Sequence, residues 1–269
     1  ETGVLKNKLI IKFAFWFEGF IYKRAKLINV LTPAFKDKLI KIKNVPKEKV
    51  ILIPNAADFS LAEKILKDSS FDALNFKKEL GFENKFVITY VGAHGVANHL
   101  IQLIDAAEKL QNTNIVFQLI GSGMRKKFLQ KEVIKRSLRN VIFREPVPKS
   151  EVFKYILASD VGASVLKNIE TFKTIYSNKT FDYMSCKKPI LLVIDGVSRE
   201  LVETAKCGIF AEPENPLSIA NKSKEMSTLE KSDLNQMGLN GYNYARENFD
   251  RVKLSKKYIQ EINAVVNDK

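Results

Sequence analysis

From residue 85 onward, apolar runs and amphipathic stretches alternate along the chain. "KFVITYVG" is a continuous β-branched and aromatic run, the pattern of a strand covered on both faces. In "ANHLIQLIDAAEKLQ" the residues Leu100, Leu103, Ile104, Ala107 and Leu110 recur at helical spacing, which predicts an amphipathic helix. The alternation then continues. Strand "NIVFQLIGSG" leads to helix "RKKFLQKEVIKRSL", strand "NVIFRE" to helix "KSEVFKYILASD", and strand "VGASVL" to helix "NKTFDYMSC". Strand "PILLVI" leads to helix "SRELVETAKC", "GIFAE" closes the sheet, and "NPLSIANKSKEMS" opens a helical end. Strands and helices alternating at these lengths predict right-handed βαβ crossovers and a parallel, doubly wound sheet.

The first 58 residues also read as α/β. "LIIKFAFWFEGFIYKRAK" is a helix crowded with Phe, Trp and Tyr and flanked by lysines. A short strand "LINVLT" follows, then helix "PAFKDKLIKIK" with Thr32 as cap and Pro33 in its first turn. "EKVILIPNAAD" is a second short strand ending in a turn. Residues 59–82 are polar and helical, broken at Ser69 and Ser70, and read as a bridge.

Charge narrows the choice of partner. The chain of 269 residues carries 44 Lys+Arg against 30 Asp+Glu, a net charge of +14. Nucleic acid, phosphorylated small molecules and acidic membrane surfaces all fit that balance. The lysines spread through amphipathic helices, and the only dense basic-aromatic patch is residues 6–26, so nucleic acid is not an expected partner. Cys186 and Cys207 provide neither a disulfide framework nor zinc spacing, which points to a reducing compartment. No apolar run approaches the roughly 18 residues of a membrane span, and the start does not read as a signal peptide. The first residue is Glu, from which a preceding segment is expected.

In doubly wound sheets, ligands lie beyond the carboxyl ends of the strands. Two glycine turns occupy that position, one with Gly92 and Gly95 and one with Gly121 and Gly123. Glycine permits close backbone approach, and free amides at a helix start attract anions. Neither turn has the dinucleotide or Walker spacing, and each also reads as an ordinary tight turn. His94 lies inside the first turn, where a donor to phosphate or sugar would serve; polar loop filler is the alternative. His99 reads as solvated. Arg125, Lys126 and Lys127 open the next helix, and Lys126 is taken as the phosphate-contact candidate. Lys179 and Asp182, three apart on one helix face, are either a surface ion pair or one wall of a ligand site.

These pieces, in this order, resemble the carboxyl-terminal half of a GT-B glycosyltransferase of the family-4 type. The nearest likeness is to bacterial L-fucosamine (N-acetylfucosamine) transferases of surface-polysaccharide synthesis. "KNKLIIKFAFWFEGFIYKRAKLINVLTPAFKDKLI" with "VPKEKVILIPNAAD" resembles the end of the acceptor-side domain, with Asn55-Ala56-Ala57-Asp58 where Asn-Gly-x-Asp is usual. "YVGAHGVANHL" resembles the glycine loop of the donor side, "SNKTFDYMSCKKPIL" the segment around the second acidic residue, and "DGVSRELVETAKCGIFAEPENP" the following loop and last strand. The resemblance implies residues 1–58 as the remnant of an acceptor-side domain, 59–84 as linker, 85–240 as the Rossmann-like nucleotide-sugar domain, and 241–269 as helices crossing back.

By the same resemblance, Asp182 holds the donor ribose, and Lys179 with Asn178 faces the diphosphate or sugar. The loop "REPVP", with Val147, contacts the base through its backbone. The other acidic residue of the family's E-x7-E pattern falls at Thr174, which is not acidic. The implied reaction is retaining and metal-independent. It moves a sugar, by this likeness an N-acetylated amino sugar, from a UDP-linked donor with no other cofactor. The acceptor would be a lipid-linked saccharide of capsule or O-antigen synthesis, at the cytoplasmic face of the cell membrane. There the basic aromatic helix would touch anionic lipid as a peripheral contact; a core-packed helix with solvated lysines is the alternative reading. Catalytic groups on the acceptor side would precede Glu1, leaving a fragment that binds donor. A sugar-nucleotide 2-epimerase and a non-catalytic nucleotide or nucleic-acid module are the rival readings.

Overall fold

A computed structural model describes residues 7–267; Lys6 of the expected basic helix lies outside them. Helix α1 (Lys8–Arg24) is capped by Asn7, whose side chain accepts from the amides of Leu9 and Ile10. None of its residues is buried. Strand β1 (Ile28–Val30) leads to α2 (Pro33–Asp37), where Thr32 caps the amide of Phe35. The expected single helix here is not uniform, since Lys38–Ile42 widens into a π-helical turn. Strand β2 (Val50–Leu52) pairs in parallel with β1, and Val30, Leu39, Val45 and Val50 form a small core.

Asp58 and Asp72 cap helices α3 (Phe59–Lys67) and α4 (Ala73–Glu79), which the Ser69–Ser70 break separates. The expected polar bridge has an apolar side. Phe59, Ala62 and Ile65 are buried in one cluster with Val152, Phe153 and Ile156. Three residues at helical spacing were enough to seat α3 on the body that follows.

That body is β3 (Phe86–Val91), α5 (Ile101–Glu108), β4 (Ile115–Ile120), α6 (Lys126–Lys135), β5 (Val141–Arg144), α7 (Lys149–Leu157), β6 (Val161–Val165), α8 (Asn178–Ser185), β7 (Ile190–Val193), α9 (Val197–Thr204) and β8 (Gly208–Phe210). All six strands are parallel, in the order β5-β4-β3-β6-β7-β8. This is the α/β, doubly wound arrangement expected from the alternation. Strand β7 shows why both faces are covered: Leu191 and Val193 enter one core, Ile190 and Leu192 the other. The strand order reverses between β3 and β6, which opens a crevice beyond their carboxyl ends.

Three helices complete the chain: α10 (Pro216–Thr228), α11 (Lys231–Asn248) and α12 (Arg251–Asn267). Where α11 passes to α12, the chain returns to the amino-terminal part. The Ala57 amide donates to the Phe249 carbonyl at 2.8 Å, the Arg251 amide donates to the Ala57 carbonyl at 3.2 Å, and the Arg251 guanidinium meets Asp58 at 2.7 Å. No helix among the described residues is long and apolar enough to cross a membrane.

Candidate functional site

The two glycine turns extend the β3–β4 pairing beyond the sheet. The Gly92 amide donates to the Ile120 carbonyl at 2.9 Å, the His94 amide to Ser122 at 2.8 Å, and the Arg125 amide to His94 at 2.9 Å. The loops touch backbone to backbone. At Gly121 (φ 142°) a side chain would collide with the Gly92 carbonyl oxygen. At Gly92 (φ 140°) a Cβ would lie 2.6 Å from the Lys179 Cε. Both positions combine a left-handed backbone with no room for a methyl group. Gly123 lies against the His94 backbone, whereas a Cβ at Gly95 would meet only Asn98 Oδ1 at 3.6 Å, so packing does not require glycine there.

The close approach at Gly92 brings Lys179 into the crevice. Lys179 sits in the first turn of α8, its Nζ 5.1 Å from the centre of the Tyr90 ring, and it has no hydrogen-bond or ion-pair partner among the described residues. The Tyr90 hydroxyl, held on the Ala93 carbonyl at 2.9 Å, fixes that ring. Burial brings the Lys179 ammonium down to about 8, with Asp182 opposing the shift. A cation at a helix start works against the helix dipole, so this corner favours an anion. The amides of Ala93, Gly95, Asn178 and Lys179 also donate to no protein acceptor among the described residues, and Ser177 offers α8 no side-chain cap.

Asp182, one turn along α8, has its carboxyl pushed up by burial, against the pull of Lys149 at 3.3 Å and of Arg251. Lys149 begins α7, directly after the "REPVP" loop, and Val147 of that loop packs against the core below. The Lys179–Asp182 pair is therefore not a surface ion pair. Asp182 faces Lys149, and Lys179 lies on the Tyr90 ring without an ion-pair partner. Asn178 is exposed, and its side-chain oxygen accepts from Asn55 at 2.8 Å, joining α8 to the turn after β2. Beneath it Thr174 ends a short 3-10 turn (Glu170–Thr174), and its carbonyl accepts from Thr32 at 2.7 Å.

Two expected contact residues are engaged differently. His94 is fully buried, with its ring beside Tyr90 and Phe143, and neither ring nitrogen has a partner. Burial, reinforced by Lys126, brings its imidazole down to about 4, so it is neutral at physiological pH. Lys126 is buried too, with its ammonium held by Glu145 at 2.8 Å and by the Arg144 carbonyl at 3.2 Å. The reason is topological. The loops after β3 and β4 pack backbone against backbone and bury these side chains, so neither imidazole nor ammonium is offered to solvent. His99 is half-buried with a left-handed backbone (φ 47°), 3.9 Å from Glu214. Lys149, Tyr90 and the Asn55–Asn178 contact were missed in the sequence. Only the position of Lys149 directly after "VP" hinted at a role.

Among the described residues no group of His, Cys, Asp and Glu could hold a metal ion. Comparison with known proteins agrees with the fold. The family model "Glycosyl transferases group 1" matches residues 72–244. A protein of Escherichia coli (strain K12) named as a colanic acid biosynthesis glycosyl transferase, WcaI, is 31% identical over 116 residues, which span 43% of this chain and 28% of that protein. Among solved structures, Anabaena HepE in complex with UDP and glucose superposes with a TM-score of 0.80 at 19% identity, covering 96% of this chain and 68% of that one. A glycosyltransferase from Rickettsia africae gives a TM-score of 0.79 at 14% identity, with the same coverage. Sucrose-phosphate synthase from Thermosynechococcus elongatus gives 0.75 at 16% identity, covering 98% of this chain and 65% of its own. The chain thus spans about two thirds of the length of these structural neighbours, whose architecture is GT-B. With its family match covering more than half of the sequence, this chain belongs to the group 1 glycosyl transferases.

Proposed function

We propose that the β3–β6 crevice binds a UDP-linked sugar and that the chain is the donor-side part of a retaining glycosyltransferase. The carrying observation is Lys179: a partly buried, unpartnered ammonium at a helix start, beside a glycine bend and four free amides. The HepE structures with UDP and with UDP-glucose support the choice of donor. In this reading residues 85–240 form the donor lobe, 1–58 belong to the acceptor side, 59–84 join them, and 241–269 return across the gap.

In the reaction the bond from the anomeric carbon to the diphosphate oxygen breaks, and its electron pair leaves with UDP. The acceptor oxygen bonds to the same face of that carbon, and its hydroxyl proton passes to the departing diphosphate oxygen. Charge therefore grows on the diphosphate. Lys179 and the free amides at Ala93, Gly95 and the start of α8 would receive it, which is electrostatic preorganisation. Asp182 would hold the ribose hydroxyls, as charge-assisted acceptor bonds do. Thr174, at the other family position, has no carboxylate to grip the sugar.

For the acceptor we propose a lipid-linked saccharide at an anionic membrane. Helix α1 supports this. Phe13, Trp16, Phe17 and Phe20 form a run of exposed, neighbouring rings with centroids 5.7–6.2 Å apart, and Lys8, Lys12, Lys23, Arg24 and Lys26 flank them in sequence. Aromatic and basic residues together suit an interfacial helix. Trp16 is the sole tryptophan, so its emission reports this contact alone. It should shift to the blue with vesicles containing phosphatidylserine and stay fixed with pure phosphatidylcholine; no shift in either would refute the membrane assignment.

Thermal shift with UDP, GDP and dTDP tests the donor. UDP should raise the melting temperature most, and a panel in which no nucleotide stabilises the protein would overturn the reading.

A further inference from the structure

The far end of the sheet carries a second basic site. The amino ends of β3, β6 and β7, together with α4 and the start of α11, surround a cavity of about 320 Å³. Lys77, Lys187, Lys188 and Lys231 line it, with Asp160 as the only acid among the lining residues. Asp160 is already engaged: one of its oxygens accepts from Lys77 at 2.6 Å and from the Val87 amide at 2.7 Å. It is held on Lys77, so only its longer-range attraction reaches Lys188, and no acid pairs directly with Lys188 or Lys231 among the described residues.

The chain presents those lysines deliberately. In "CKKP" the backbone of Lys187 is left-handed (φ 54°), which sends two successive side chains apart. Lys187 reaches the face of Tyr242, 4.7 Å from its ring centre. Lys188 enters the cavity. Gly238 of α11 packs against the Lys187 carbonyl so closely that any side chain there would collide with it, which holds the turn in place. Lys188 is partly buried, and neither it nor Lys231 has a hydrogen-bond or ion-pair partner among the described residues. Burial holds the Lys188 ammonium below its usual range, helped by Lys77 and Lys231 and opposed by Asp160. Glu230 and Asp233, on the same turn as Lys231, do not line the cavity.

We infer that this basal cavity binds a small phosphate-bearing anion, distinct from the donor in the crevice at the opposite end of the strands. A doubly charged phosphate matches two unpartnered ammonium groups. A desolvated lysine gains most from such a counter-charge because burial without one is costly. The volume exceeds that of phosphate alone, so either inorganic phosphate or the phosphate of a small sugar ester fits the chemistry.

Calorimetric titration at constant ionic strength distinguishes these sources and tests the site. Inorganic phosphate and glucose 1-phosphate are added to the wild type, Lys188→Met, Lys231→Met and Lys179→Met, with chloride as control. We expect a saturable site that is weakened at least tenfold in Lys188→Met and Lys231→Met and retained in Lys179→Met. Tighter binding of glucose 1-phosphate would identify a phosphoester as the ligand, and equal binding would identify free phosphate. Lys231 is exposed on a helix, so its variant keeps the test intact if Lys188→Met fails to fold. Binding no stronger than chloride, or binding lost in Lys179→Met and kept in Lys188→Met, would overturn the inference. The first result would leave UDP binding in the crevice untouched, whereas the second would put the phosphate on Lys179 in that crevice instead.

Discussion

Replacing Lys179 with Met removes one charge and keeps most of the side-chain volume. In the ligand-free protein that charge is a liability, because burial lowers its pKa from 10.5 to about 8. The full difference corresponds to about 3 kcal/mol at roughly 1.4 kcal/mol per pH unit. Partial access of water reduces this to about 1–2 kcal/mol. The sign follows from proton linkage. The folded state binds fewer protons than the unfolded chain between about 8 and 10.5, so the cost is fully present below pH 8 and fades as pH rises through that window. Lys179→Met should therefore melt a few degrees higher than wild type at pH 7, at roughly 2–4 °C per kcal/mol. Its affinity for UDP should fall about 10- to 100-fold, the equivalent of roughly 1.4–3 kcal/mol for one charge-assisted contact. Wild-type affinity should weaken above pH 8, with proton uptake on binding, because the diphosphate needs the ammonium form. Calorimetry in buffers of different ionisation enthalpy measures both. A variant that binds UDP as tightly as wild type, with no loss of affinity above pH 8 in either, would refute the reasoning.

Three further outcomes follow from particular contacts. Gly92→Ala places a methyl group 2.6 Å from the Lys179 Cε on a left-handed backbone; it should cost about 1–3 kcal/mol of stability and reduce UDP binding more than tenfold, by denaturation and calorimetry. Asp182→Asn should weaken UDP about tenfold and leave pyrophosphate binding unchanged, because the ribose and not the diphosphate is its partner; equal losses would remove the ribose role. Phe153→Ala empties a fully buried position between α3 and the sheet and should destabilise by about 3–5 kcal/mol in urea denaturation, with UDP affinity unaltered at low denaturant.

The fold was legible because its signals are local. Buried runs such as Phe86–Val91 and the cap at Thr32 depend on near neighbours, and near neighbours determine strands and helix starts. The exceptions mark where local signals compete. Helix α5 begins at Ile101, not at Ala97, because the left-handed His99 prolongs the turn after Gly95. The site was legible in part. Spacing and the β–turn–α rhythm led to Lys179 and the two glycine bends, and the fold brings Gly92 and Lys179 together. The roles of His94 and Lys126 were not, since the loops that bury them come from two strands nearly thirty residues apart in sequence. Lys149 meets Asp182 across 33 positions, and no periodic pattern encodes that contact.

The crevice account is tested most directly by a crystal structure with UDP bound. The account predicts the diphosphate between the Gly92 bend and the start of α8, with a phosphate oxygen about 3 Å from Lys179 Nζ and the ribose on Asp182. Nucleotide bound anywhere else, with Lys179 still lying on Tyr90 and unpartnered, would contradict it.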